Sequence, residues 1–202
     1  MAVSTDTRTR MSAPQRREQL LDTTKALVGE QGFHGLSIEA VAKRAGVSRP
    51  VVYGHFGDLG GLLEAMLRRE GESALRQLAD VLPGEREEDP QAALLASLRA
   101  YLEAVRADPV TWRLVLMPPE GAPAILREQV TSGRDAVIAA LAASVASGAG
   151  PRGASPDPEL TARLLSAVAD EAARLLLTHP RRFPVERLVD QAGWLLDQLG
   201  GS

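Results

Sequence analysis

Residues 37–56, SIEAVAKRAGVSRPVVYGHF, decide the fold, because they encode two short helices joined by a tight turn. The side-chain oxygen of Ser37 can accept from a free backbone N–H at the start of the first helix. Gly46 can adopt the left-handed conformation that ends one helix and turns sharply into the next. Ser48 and Pro50 are typical of the start of the second helix. The stretch therefore predicts a helix-turn-helix.

The second of these helices has an inner and an outer face. Val52 and Phe56 are spaced to face the first helix. A core helical hairpin is the alternative, but it needs neither an Arg nor a Tyr on its outer face. A DNA-binding motif, whose second helix enters a major groove, explains both. The outward positions are Arg49, Pro50, Val51, Tyr53 and His55.

Composition favours an all-α protein. The chain has 202 residues, only 3% aromatic residues and no cysteine. Burial must therefore come from aliphatic helix faces, and thiolate chemistry and disulfides are excluded. The longest nearly apolar run, residues 136–146, is too short to span a bilayer, and no signal peptide opens the chain. We expect a soluble, cytoplasmic protein with no membrane partner.

The charge is distributed unevenly along the chain, between residues 1–57 and residues 58–202. Residues 1–57 carry eight Lys and Arg against five Asp and Glu, a net charge of +3. Residues 58–202 carry fifteen against twenty-one, a net charge of −6. Phosphate neutralisation by a small basic domain predicts such a division, although scatter in a chain of this size is the alternative. We expect a disordered basic arm at 1–13, a DNA-binding domain at 14–57 and a helical body at 58–202.

The block GFHGLSIEAVAKRAGVSRPVVYGHFGDLGGLLEAML, residues 32–67, resembles the TetR family of bacterial transcriptional repressors. The resemblance covers about residues 20–66, and its specific part is AGVS followed by Y-x-H-F. It implies an all-α fold in which a three-helix DNA-binding head is joined to a larger helical body. That body would dimerise and carry a small-molecule pocket. Ligand binding in that pocket would lower the affinity for a palindromic operator in double-stranded DNA.

The same resemblance assigns roles to residues of the motif. The base-facing positions are Arg49, Pro50 and Val51. Tyr53 and His55 match positions that commonly contact the phosphate backbone in this family. Apart from the resemblance, Ser37 and Ser48 at the helix N-termini are candidates for phosphate contacts, as are Lys43 and Arg44 on the outside of the first motif helix. For Lys43 and Arg44, plain solvated surface charge is the alternative.

One departure from the family pattern follows the motif. The Lys and acidic pair that usually starts the next helix is replaced here by Leu59 and Gly60. Asp58 can still cap that helix. Gly60 and Gly61 are expected to weaken its first turn by about 1 kcal/mol each relative to Ala.

The last two helices are apolar over more of their circumference than packing on one core requires. We therefore predict a four-helix interface between two copies of the chain, with burial inside one subunit as the alternative. The predicted interface residues are Leu165, Val168, Ala169, Ala172, Leu176, Leu188, Ala192, Leu195 and Leu196.

A ligand pocket is predicted in the body, for an effector that the sequence does not identify. Its candidate residues are Tyr101, Trp112, Arg113, Met117 and His179. The sequence contains no His-Glu-x-x-His, Gly-rich phosphate loop or nucleophile elbow, so we expect no enzymatic activity, metal or cofactor. A DNA-binding dimer without a small-molecule response, controlled by a protein partner or by abundance, is the alternative function.

Overall fold

The computed structural model describes residues 11–81, 89–117, 124–146 and 155–200, and over these ranges the chain is helical with no strand. This confirms the all-α prediction. A single 3₁₀ turn, Phe33–Gly35, follows the first helix. The helices are α1 (Ala13–Gln31), α2 (Ile38–Ala45), α3 (Arg49–Phe56), α4 (Leu59–Val81), α5 (Pro90–Ala107), α6 (Pro109–Leu116), α7 (Ala124–Ala146), α8 (Pro158–Thr178) and α9 (Val185–Gly200).

The start of α1 differs from the expected disordered arm at 1–13. Ser12 and Gln15 form a reciprocal cap, in which each side chain accepts from the other residue's backbone N–H. Two otherwise unpaired N–H groups are thereby satisfied, and the helix begins at Ala13. Residues 1–10 lie outside the described part of the chain.

The chain divides into two compact units, Met1–Met66 and Leu67–Ser202. The sequence placed this division after residue 57, whereas the structure places it within α4. The early α4 residues Leu62 and Met66 are fully buried and belong to the first unit. Helix α4 therefore contributes to both units rather than to the body alone.

In the first unit, α2 packs against both α1 and α3. Its core is aliphatic and includes Leu20, Leu21, Val41 and Val52, all of which are fully buried. The Gln19 side chain also donates from Nε2 to the carbonyl of Ala45 at 3.3 Å, which ties α1 to the end of α2. These contacts fix the two helices of the motif on α1.

The first turn of α4 is capped as predicted. Oδ1 of Asp58 accepts from the backbone N–H of Gly61 at 2.8 Å. The expectation that Gly61 is a weak point needs correction, because its missing Cβ leaves room for the backbone carbonyl of Phe56.

In the second unit, α5 packs against both α8 and α9, while α6 and α7 pack against α8. Two consecutive α6 residues also bond to α4: Thr111 donates to Glu70, and Nε1 of Trp112 donates to Oε1 of Gln77 at 3.3 Å. None of the described helices is long and apolar enough to cross a membrane. The core of this unit consists of Ala74, Tyr101, Leu102, Val105, Trp112, Leu116, Ala172, Ala173, Leu176, Leu177, Val185 and Val189.

Candidate DNA-binding interface

The turn between α2 and α3 has the geometry that the sequence predicts. Gly46 has φ 67° and ψ 35°, the left-handed conformation that glycine adopts at little cost. Its N–H and that of Val47 donate to the carbonyls of the last turn of α2, including Val47 N to Ala42 O at 2.9 Å. The end of α2 is thereby satisfied, and the chain turns directly into α3.

Helix α3 is anchored on one side and open on the other. Val52 is completely buried, whereas Arg49 and Pro50 are exposed, Val51 is partly exposed and Tyr53 is 50% exposed. Among the described residues, no carboxylate lies within salt-bridge distance of Arg49. The predicted base-facing positions therefore lie together at one accessible end of α3. The guanidinium of Arg49 is available to a ligand.

The two serines that precede the motif helices differ in their bonding. Oγ of Ser37 accepts from the backbone N–H of Ala40 at 3.1 Å and caps α2. Ser48 occupies the N-cap position of α3, but its side chain makes no capping hydrogen bond. Only the first serine therefore acts as the predicted side-chain cap, and the hydroxyl of Ser48 remains exposed.

Arg44 has a partner within the protein that the sequence did not indicate. Its guanidinium donates to both carboxylate oxygens of Glu30, at 3.0 and 2.8 Å. This hydrogen bonding lowers the pKa of Glu30 and raises the pKa of Arg44. Lys43 is exposed beside it. The two neighbouring cations are thus not equivalent as candidates for phosphate contacts.

The end of α3 is held by aromatic contacts. The guanidinium carbon of Arg17, on α1, lies 5.2 Å from the ring centroid of Phe56. The His55 ring lies 6.0 Å from the same ring and is partly exposed. Arg17 was not singled out from the sequence, because only the fold brings it to α3.

Two of the predicted pocket residues form a buried pair. The rings of Tyr101 and Trp112 meet edge to face at 5.1 Å, and both residues are buried. The Tyr101 hydroxyl donates to Oδ1 of Asp170 at 3.5 Å. Burial raises the pKa of the Tyr101 hydroxyl far above its ordinary value, and it also raises the pKa of Asp170. Met117 is partly buried against the same core.

The other two predicted pocket residues are exposed. Arg113 donates to the carbonyl of Leu177 at 3.1 Å, and the His179 ring contacts the hydroxyl of Thr178 at 2.9 Å. A shallow surface groove of about 680 Å³ lies elsewhere, between α5 and α9, and none of the predicted pocket residues lines it. The groove is lined by Ala92, Leu95, Ala96, Arg99, Val189, Asp190, Gly193, Trp194 and Asp197.

The predicted interface residues fall into three classes of burial. Ala172 and Leu176 lie in the core of a single subunit. Val168 and Leu195 are exposed, at 56% and 43%. Three further apolar residues, Leu160, Leu164 and Trp194, are exposed but were not selected from the sequence. Partly buried positions are Leu165, Ala169, Leu188, Ala192 and Leu196.

A capped helix-turn-helix with an open second helix, followed by an all-helical unit, defines a class of DNA-binding transcription regulators. The family model described as bacterial regulatory proteins, tetR family, matches residues 20–66. A second model, described as tetracyclin repressor-like, C-terminal domain, matches residues 90–199. The chain therefore belongs to the TetR family of bacterial regulatory proteins.

Curated relatives resemble part of the chain. The HTH-type transcriptional regulator BetI of Yersinia pestis (strain Pestoides F) is 42% identical over 87 residues, which cover 41% of this chain and 42% of the relative. BetI of Serratia proteamaculans (strain 568) is 49% identical over 55 residues, covering 27% of this chain and 28% of the relative. The chain thus matches less than half the length of these relatives.

Several solved structures resemble this chain over nearly its whole length. A TetR-like transcriptional regulator from Rhodococcus sp. RHA1 has a TM-score of 0.73 at 26% identity, covering 96% of this chain and 100% of that chain. A tetR-family regulator from Streptomyces coelicolor has a TM-score of 0.70 at 26% identity, covering 94% and 82%. A complex of SmeT with triclosan has a TM-score of 0.72 at 22% identity, covering 91% and 90%, and shows the shared fold alone.

Proposed function

We propose that this regulator is a homodimeric repressor that binds a palindromic operator and is released from it by a small molecule. The observation that carries the proposal is the open end of α3, where Arg49, Pro50 and Val51 are accessible while Val52 anchors the helix. A recognition helix that enters a major groove contacts bases with its N-terminal residues.

The chemistry of these side chains suits base edges and phosphates. The guanidinium of Arg49 can donate to O6 and N7 of guanine, and a methyl group of Val51 can contact the methyl group of thymine. The exposed hydroxyls of Ser48 and Tyr53 can donate to phosphate oxygens, which position the helix without reading sequence. Lys43 supplies a further charge for the same purpose.

Exposed apolar side chains support the proposed dimer. Leu160, Leu164 and Val168 follow one another at four-residue intervals on α8, and each is more than half exposed. Trp194 and Leu195 are exposed on α9. An exposed apolar strip such as that on α8 is characteristic of protein interfaces. A dimer would place two recognition helices about 34 Å apart, one helical turn of DNA, and so match a palindrome.

Release by a small molecule is supported by the shared fold. SmeT, which has this fold, has been solved in complex with triclosan. A ligand that favours one arrangement of the dimer by about 1–3 kcal/mol would change operator affinity about 5- to 150-fold. The second candidate is a DNA-binding dimer without such a response. Thermal melting with a panel of small molecules separates the two, because only a ligand of the folded protein raises its melting temperature.

A regulator of this kind acts on DNA in the cytoplasm, and catalysis forms no part of the proposal. Its central test is selection of bound duplexes from a random pool, repeated at two salt concentrations. We expect a palindromic consensus for the wild-type chain. In Arg49→Ala, one base-pair position in each half-site should lose its preference.

Lys43→Ala is the matched control, because it removes one charge from the same unit. It should weaken binding to all sequences similarly and leave the consensus intact. Binding that depends on salt but yields no consensus for the wild-type chain would refute a sequence-specific repressor.

A further inference from the structure

The turn between α8 and α9 and the first turn of α9 carry three exposed arginines that the DNA-binding head does not use. They are Arg181, Arg182 and Arg187, and we call them the turn patch. We propose that the turn patch is a second DNA-binding surface, which contacts phosphates without reading bases. This proposal rests on DNA binding by the family and not on dimerisation or release by a ligand.

The charges of the turn patch are not compensated within the described protein. None of its arginines has a carboxylate within salt-bridge distance among the residues that the structure describes. Glu186 and Asp190 are close in sequence on α9, but both are exposed and neither forms such a pair. The guanidinium groups of the patch are therefore available to an external anion.

Three other exposed arginines of the same unit pair with carboxylates. Arg163 pairs with Glu159 at 2.9 Å, and Arg106 pairs with Glu103 at 2.5 Å. Arg76 lies 3.9 Å from a carboxylate oxygen of Glu72 on the preceding helical turn. Among the described residues, Arg99 and Arg113 are also exposed without such a pair, but they stand alone in the sequence. The turn patch differs because its three arginines lie within seven residues, 181–187.

Two arginines of the patch are held in position by the turn itself. The guanidinium carbons of Arg182 and Arg187 lie 5.1 and 5.0 Å from the ring centroid of Phe183. Arg187 also donates to the carbonyl of Arg182 at 2.7 Å. Because an arginine has five N–H donors, others remain for a ligand. Such preorganisation reduces the entropy cost when an anion binds.

Helix α6 connects the end of α8 to α4 within the second unit. Arg113 of α6 bonds to the carbonyl of Leu177 in the last turn of α8, and Thr111 of α6 bonds to Glu70 of α4. These hydrogen bonds hold the end of α8, which the turn follows, against other helices of its own unit.

The chemistry favours the phosphates of duplex DNA as the occupant. Planar guanidinium groups donate strongly to phosphate oxygens. Residues 67–202 carry fifteen Lys and Arg against nineteen Asp and Glu, a net charge of −4, so the charge of this unit as a whole disfavours DNA binding. The turn patch is a local concentration of positive charge on it. Binding of DNA by the head also raises the local concentration of duplex for any second surface on the same chain.

The test compares two triple variants of the full chain that differ from the wild type by the same charge. Arg181→Gln/Arg182→Gln/Arg187→Gln removes the turn patch, and Arg76→Gln/Arg106→Gln/Arg163→Gln removes three paired arginines. Affinity for a long duplex of scrambled sequence is measured between about 50 and 200 mM salt. The slope of log affinity against log salt should become shallower by about 0.9 for each phosphate that the protein no longer neutralises, and only in the patch variant.

Equal slopes for the wild type and both variants would overturn the proposal, as would equal reductions of the slope in the two variants. Oligoglutamate serves as the probe for an acidic protein. If the wild type binds it more strongly than the patch variant does, while the two bind DNA equally, the patch would be assigned to an acidic protein and the proposal would be overturned. If the triple variant melts early, Arg181→Gln alone should still lower the slope by about 0.9. The operator consensus should be unchanged in the patch variant, which separates this test from that of the repressor.

Discussion

The backbone carbonyl oxygen of Phe56 lies 2.2 Å from the position that a Cβ on Gly61 would occupy. No side-chain rotation relieves this contact, because both groups belong to the backbone. Gly61→Ala should therefore displace the first turn of α4 and destabilise the chain by about 1–3 kcal/mol, as overpacked positions do. Thermal and urea unfolding measure the effect.

Gly60→Ala is the control for this prediction. Its Cβ would lie 3.2 Å from Oδ1 of Asp58, which must give by a few tenths of an ångström while it keeps its hydrogen bond to Gly61. Since Ala is the better helix former, the change should be neutral or stabilising by up to about 1 kcal/mol. A Gly61→Ala variant as stable as Gly60→Ala would show that helix propensity, and not the close approach, governs this turn.

The two serines of the motif should differ when they are truncated. Ser37→Ala removes a capping hydrogen bond and should cost about 1 kcal/mol of unfolding free energy. Ser48→Ala removes no capping bond and should change stability little. Denaturant midpoints compare the two variants, and an equal cost would contradict the assignment of the cap to Ser37.

The ion pair between Glu30 and Arg44 predicts a measurable titration. The arginine holds the pKa of Glu30 below its ordinary value, so the stabilisation is present above that value and is lost as pH falls through the lowered pKa. In Arg44→Gln, the pKa of Glu30 should return upward toward the ordinary carboxyl range. NMR titration of the Glu30 side chain measures the change, with Lys43→Gln as a control that should leave it unaltered.

The exposed apolar strip on α8 should govern self-association. Leu164 is 60% exposed, so Leu164→Glu adds a charge without disturbing the core of one subunit. Sedimentation should show a shift from dimer to monomer at micromolar concentration, with folding unchanged. Ala79→Glu adds the same charge at an exposed position on α4 and should leave the dimer intact. A wild-type chain that sediments as a monomer would refute the interface.

Much of the head could be predicted from local signals. The bounds of α2 and α3, the left-handed Gly46 and the cap at Ser37 all depend on residues within one or two turns of each other. The cap at Ser12 was missed, although Ser followed by Gln three residues later is its sequence signature.

The partners of individual side chains could not be predicted in the same way. Arg44 was considered for phosphate, but its partner Glu30 lies on another helix. Ala172 and Leu176 were assigned to an interface, yet the core of one subunit already buries them. Periodicity shows that a helix is apolar on several faces, but it does not show which face meets α5.

The sequence by itself determined the helix-turn-helix, the all-helical class and the family, because caps, turn glycines and apolar spacing act over short distances along the chain. Only the tertiary structure decided that Gly61 must lack a Cβ, that Arg44 is paired and that Leu160, Leu164 and Trp194 remain exposed. Those properties depend on which distant residues the packed helices bring together, and contact between helices is not encoded in the spacing within any one of them.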